Sequence, residues 1–223
     1  MLILELSLPV SDVAATARYF REVLQQPVEG NAVTIGWSTI TLVPAGALPV
    51  GGVHLAFNVP DNRFAEATAW LRERAPLQTN PEGIDYFALE SNWQSQSVYF
   101  TGPNGMVLEL IGRQPLPDGQ HSGAFHGSEL TSLSEVGLPS TDVDALRQRL
   151  EADFGLQSLS PPSPQFAPMG DDEGLLIVVD AARRWLPEGK DLPAARGLQV
   201  HLGGVSAGAG LADTAHGWQL QAA

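Results

Sequence analysis

The chain is a succession of short segments whose apolar residues recur every second position, interrupted by three whose apolar residues recur at helical spacing. Leu2, Leu4, Leu6 and Leu8 alternate with Ile3, Glu5 and Ser7, the period of a strand with one buried face. The next segment, AATARYFREVLQ (14–25), carries a helical stripe, with Ser11 or Asp12 placed to cap it. VTIGWSTITLVP (33–44), GGVHLAFNV (51–59), DYFALE (85–90), SVYFTG (97–102) and MVLELIG (106–112) read as short strands punctuated by Gly, Pro or Asn. FAEATAWLRER (64–74) reads as a second helix, and Asn104-Gly105 as a hairpin turn.

The order then repeats. The first strand and helix start, Leu4 to Val13, recur as Ser134 to Val143, with Glu5 and Glu135 at the same place. Thr141 or Asp142 caps a third helix, ALRQRLEADF (145–154), which ends on Gly155. Val53-His54-Leu55 likewise recurs as Val200-His201-Leu202. After His201 there is no amphipathic helix, only the Gly/Ala-rich stretch 203–215 and a closing strand, Gly217 to Gln221. The fold class predicted is α+β, with repeated βαβββ modules forming curled mixed sheets. Residues 1–113 form a domain of two modules, 114–129 a Gly/Pro-rich linker, and 130–223 a third module plus an abbreviated fourth.

Composition narrows the chemistry. With 223 residues and 43% apolar content a buried core is attainable. A formal net charge of −13 repels phosphate backbones and anionic headgroups, so neither nucleic acid nor a membrane surface is an expected partner. No apolar run approaches the roughly 20 residues needed to span a bilayer, and MLILELSLPV lacks a basic leader region. A cytoplasmic protein is expected. With no cysteine, any metal must be held by histidine and carboxylate. The acidic run Gly170-Asp171-Asp172-Glu173-Gly174 lacks the ligand spacing of a calcium loop and reads as a hairpin turn, and no phosphate loop, dinucleotide fingerprint or nucleophile elbow is present.

Strand alternation places Glu5, His54 and Glu109 on faces turned away from the helices. If those faces curl into a cup the three can converge, and one histidine with two carboxylates suits Fe(II), Mn(II), Zn(II) or Ni(II). Trp37, Asn92, Trp93 and Tyr99 are candidates to line a substrate pocket, with core or rim packing as the alternative for each.

LSLPVSDVAATARYFREVL, VHLAFNVPDNRFAEATAWL and YFTGPNGMVLELIGR resemble the vicinal oxygen chelate superfamily, the glyoxalase, bleomycin-resistance and extradiol dioxygenase group. That resemblance implies paired modules around a divalent metal, with Glu5, His54 and Glu109 at the ligand positions and Glu109 also catalytic. Glu5 stands where the family more often has His or Gln, and Thr41 stands where glyoxalase I has Glu. Glu135, His201 and Gln221 then form a degenerate second copy of the site. The function implied is a metal-dependent lyase, isomerase or dioxygenase acting on a small vicinal-oxygen substrate, with a metal-free small-molecule binding protein as the alternative. A homodimer is expected.

Overall fold

The computed structural model describes residues 1–223. The first module comprises β1 (Leu2–Val10), α1 (Val13–Glu22), β2 (Val28–Glu29), β3 (Ala32–Ile35) and β4 (Ser38–Pro44). The second comprises β5 (His54–Val59), α2 (Phe64–Arg72), β6 (Phe87–Leu89), β7 (Ser95–Thr101) and β8 (Val107–Arg113). The third holds β9 (Ser132–Ser140), α3 (Val143–Phe154), β10 (Phe166–Asp171) and β11 (Gly174–Asp180). The last holds only β12 (Gln199–Gly203), β13 (Gly210–Asp213) and β14 (Trp218–Ala222).

Local chemistry sets the element ends. Asp12 and Asp142 each accept a hydrogen bond from the backbone N–H three residues on, at 2.9 Å in both helices. Gly155 closes α3 in the left-handed conformation, at φ 71°. Asn104 and Gly105 both take positive φ in the turn between β7 and β8, and residues 172 and 173 make the turn between β10 and β11.

The strands form two seven-stranded sheets, ordered β13-β14-β12-β1-β4-β3-β2 and β10-β11-β9-β5-β8-β7-β6. The first module therefore joins the fourth, and the second joins the third. Residues 114–126 hold no strand or helix and lead from β8 to a short helical turn at Gly127–Glu129, and neither sheet is confined to one half of the chain. One apolar cluster of 47 residues runs through both sheets, with Phe20 of α1 set edge-on to Phe57 of β5 at 6.4 Å. Because that core draws on all four modules, the halves bury their apolar surface together.

β1 departs from simple alternation. A bulge at Leu4 lets Ile3 pair with Leu202 and Glu5 with His201, so Ile3, Leu6 and Leu8 are buried while Leu2 and Leu4 are half-exposed. The repeat carries its bulge with it: on β9, Leu133 pairs with Phe57 and Glu135 with Ala56, skipping Ser134. In both copies the extra residue lies immediately before the glutamate and re-aims it.

Candidate metal centre

β5 is the seam between the second and third modules, parallel to β8 on one side and antiparallel to β9 on the other. Ala56 pairs with Glu109 on the first side and with Glu135 on the second. The two glutamates thus occupy one row, and the methyl group between them leaves room for their carboxylates to approach. His54 lies two residues back on the same strand face. Its Nδ1 is 3.2 Å from the carbonyl oxygen of Val107, and with Nδ1–H donating there, Nε2 faces the carboxylates. Nε2 is 3.4 Å from Glu135 Oε2 and 3.6 Å from Glu109 Oε2. All three side chains are buried, and their ligand atoms lie within 4.8 Å of one another.

Two carboxylates so close and so dry oppose each other's ionisation. Burial, and then the charge of Glu135, push Glu109 up to about 8, although His54, Arg113 and a hydrogen bond from Ser97 pull the other way. Burial alone would lower the His54 imidazole, but the Glu135 hydrogen bond and the charges of both glutamates outweigh it and raise the value. Tyr99, half-buried beside the same pair, is held well above an ordinary phenol, by desolvation of its hydroxyl first and then by the two charges. Arg113 holds Glu135 in place. The guanidinium is fully buried, donates from Nη2 to Glu135 Oε1, and stacks 5.6 Å from the Trp93 ring. Its Nη1 is 3.8 Å from Asp172 Oδ1.

The donor set fits a divalent cation. One imidazole nitrogen is fixed outward by its partner atom, one carboxylate oxygen of Glu135 stays free of Arg113, and Glu109 makes no ion pair with an arginine or lysine, only the 3.6 Å approach to His54. A cation would relieve the repulsion that otherwise keeps a proton on Glu109.

Above the triad lies an open-mouthed cavity of about 140 Å³. Its walls are Trp93, Tyr99, Phe166 and Trp185. Trp185 comes from the long connection between β11 and β12. Its ring is 4.9 Å from that of His54, and its Nε1 donates to the Gly52 carbonyl at 2.8 Å. Gly137 makes this possible: a Cβ there would sit 2.7 Å from the indole.

The candidate residues divide between the sheets. His54 and Glu109 come together as expected, but Glu5 does not join them. It is exposed in the other sheet, opposite His201, because β1 pairs with β12 and not with β5. Glu135 takes the place expected for Glu5. The expected second set is corrected in the same way, since Glu135 leaves it and Glu5 stands with His201 and Gln221. That row does not reproduce the first. Glu5 pairs with His201, and His201 with Gln221, so His201 occupies the register of Ala56, two residues away from the register of His54. Two residues preserve the face but displace the imidazole by about 7 Å.

Trp93 and Tyr99 line the cavity as proposed from sequence. Trp37 does not: it lies in the turn between β3 and β4 in the other sheet, 44% exposed. Asn92 is spent on the Leu159 carbonyl at 3.0 Å and lies outside the lining. Phe166, Trp185, Arg113 and Arg183 escaped the sequence reading. A tryptophan among charged residues and one proline in RRWLPEGK was the one local hint.

No protein-family pattern matches the chain, and no curated protein matches it in sequence. Solved structures do match in fold. A "putative dioxygenase" from Bacillus subtilis superposes with a TM-score of 0.59 at 18% identity, covering 91% of this chain and 70% of its own. Glyoxalase I from Zea mays superposes with a TM-score of 0.57 at 14% identity, covering 99% and 91%. A point mutant of that maize enzyme gives 0.58, again at 14% identity, covering 99% and 92%. The chain thus shares its fold with maize glyoxalase I and with that Bacillus protein. No helix is long and apolar enough to cross a membrane.

Proposed function

We propose that the chain is a divalent-metal-dependent enzyme acting on a small substrate that presents two neighbouring oxygens. The observation that carries this reading is the convergence of His54, Glu109 and Glu135, two buried carboxylates and an imidazole whose ligand atoms lie within 4.8 Å of one another. A bound Fe, Mn, Zn or Ni ion would supply Lewis acidity toward those oxygens. Glu135, held in place by Arg113, serves as a fixed ligand. Glu109, untethered by any arginine and already inclined to hold a proton, is the residue suited to take one from substrate and return it. Trp185 and Trp93 limit water around that exchange. The test is elemental analysis of protein purified without tag or chelator: near-stoichiometric metal in the wild type and its loss in His54→Ala support the reading. No metal in either, even after reconstitution, overturns it.

The aromatic walls favour one other reading, a metal-free protein that sequesters a flat ligand. Ligand affinity unchanged in a Glu109→Ala variant that has lost metal would support it.

A further inference from the structure

Arg183 is the one arginine lining the cavity, and no carboxylate of the protein forms an ion pair with it. It sits in the turn that follows β11, where its backbone N–H donates to Asp180 O at 2.9 Å. The Asp180 carboxylate is occupied in the same turn, accepting from Ala182 N at 2.7 Å, so the nearest acid in sequence shapes the backbone and leaves the guanidinium free. That guanidinium forms no ion pair and no hydrogen bond with any protein group, yet it is half-buried with its carbon 5.2 Å from the Phe166 ring centroid. Burial holds it below an ordinary arginine value. Unpartnered arginines on an open surface are solvated and need no explanation, whereas one laid along an aromatic wall of a cavity is pre-oriented for an anion.

The charge inside the cavity points the same way. Glu109 and Glu135 would balance a divalent ion, and Asp172 stands beside Arg113. Arg183 alone is left over, in a chain whose net charge is −13. An anion entering this mouth is repelled by the protein as a whole, so a fixed guanidinium at the wall selects for one.

We propose that Arg183 is an anion subsite and that the substrate is a small, flat carboxylate, its carboxylate paired with Arg183 and its vicinal oxygens turned toward His54, Glu109 and Glu135. The placement of the vicinal oxygens rests on the metal-enzyme reading, while the carboxylate pairing does not. The cavity matches a single ring in size, since one of about 150 Å³ accommodates benzene. Arginine meets a carboxylate through two parallel N–H donors, which gives the contact direction as well as strength.

Calorimetric titration with catechol and with 3,4-dihydroxybenzoate tests this, using wild type and Arg183→Met, each stripped with chelator and reloaded with Zn(II). The methionine keeps the stem packed on Phe166 and removes the charge. The wild type is expected to prefer the carboxylated probe at least tenfold, about 1.4 kcal/mol. Arg183→Met is expected to lose that preference while holding catechol within about twofold of the wild type, with an unchanged melting temperature. Equal affinities in the wild type, a preference retained in Arg183→Met, or no binding of 3,4-dihydroxybenzoate would each overturn the subsite. A preference that persists without zinc, together with catechol affinity that zinc does not alter, would leave the subsite standing and sink the metal reading alone.

Discussion

Glu135 approaches Nε2 of His54 to 3.4 Å although 81 positions separate them in sequence. The contact exists because β9, the first strand of the third module, docks antiparallel to β5, the first strand of the second. The site is consequently a product of module pairing more than of any local motif.

Glutamate exchange between the sheets gives a direct test. Glu135→Gln should lower metal affinity by tenfold or more, whereas Glu5→Gln should leave it unchanged, because Glu5 belongs to the sheet that lacks His54. Competition for metal against a fluorescent chelator reads both variants. Equal losses in the two would contradict the strand order.

Acidity should matter in an unusual direction. Glu109 and His54 both have values raised on folding, from 4.5 to about 8 for the glutamate and upward from 6.5 for the histidine. Such groups stabilise the fold below their unfolded values, and the stabilisation fades as pH climbs through the folded ones. The metal-free protein should therefore lose stability between about pH 5 and pH 8, on the order of a few kcal/mol. Saturating Zn(II) should flatten the trend, because the ion replaces the proton. Melting temperatures measured across this range check it, and Glu109→Gln should remove most of the slope. A flat profile in the metal-free wild type would count against the buried pair.

Ala56 offers a steric test. Ala56→Val places two further carbons between Glu109 and Glu135 in a position with no exposure. The expected cost to stability is about 1–3 kcal/mol. Metal affinity should fall by at least tenfold while the circular dichroism spectrum stays that of the wild type. Unaltered affinity would mean that the carboxylates do not need that space.

Much of this was legible in the chain, and for identifiable reasons. Caps at Asp12 and Asp142, the stop at Gly155 and the turn at Asn104 follow from chemistry within a few residues. His54 and Glu109 could be assigned to one face because alternation along a strand is equally local. The choice of third ligand could not be made that way. Glu5 and Glu135 sit in near-identical strand contexts, and only long-range pairing distinguishes them. The bulges at Leu4 and Ser134 leave no periodic trace, and the matching Val-His-Leu triplets mislead because sequence likeness ignores a register shift of two. Trp185 and Arg183 lie in a connection with no apolar rhythm at all, so nothing short of the folded chain could bring them to the cavity that His54 lines.

Joining the modules into one polypeptide has a kinetic and thermodynamic meaning for the site. His54 and Glu109 precede the linker at 114–129, and Glu135 follows it. Were the chain severed there, assembling the three ligands would become a second-order event that dilution opposes. The intact linker turns it into a first-order one, with the missing glutamate supplied at a fixed effective concentration however scarce the protein is.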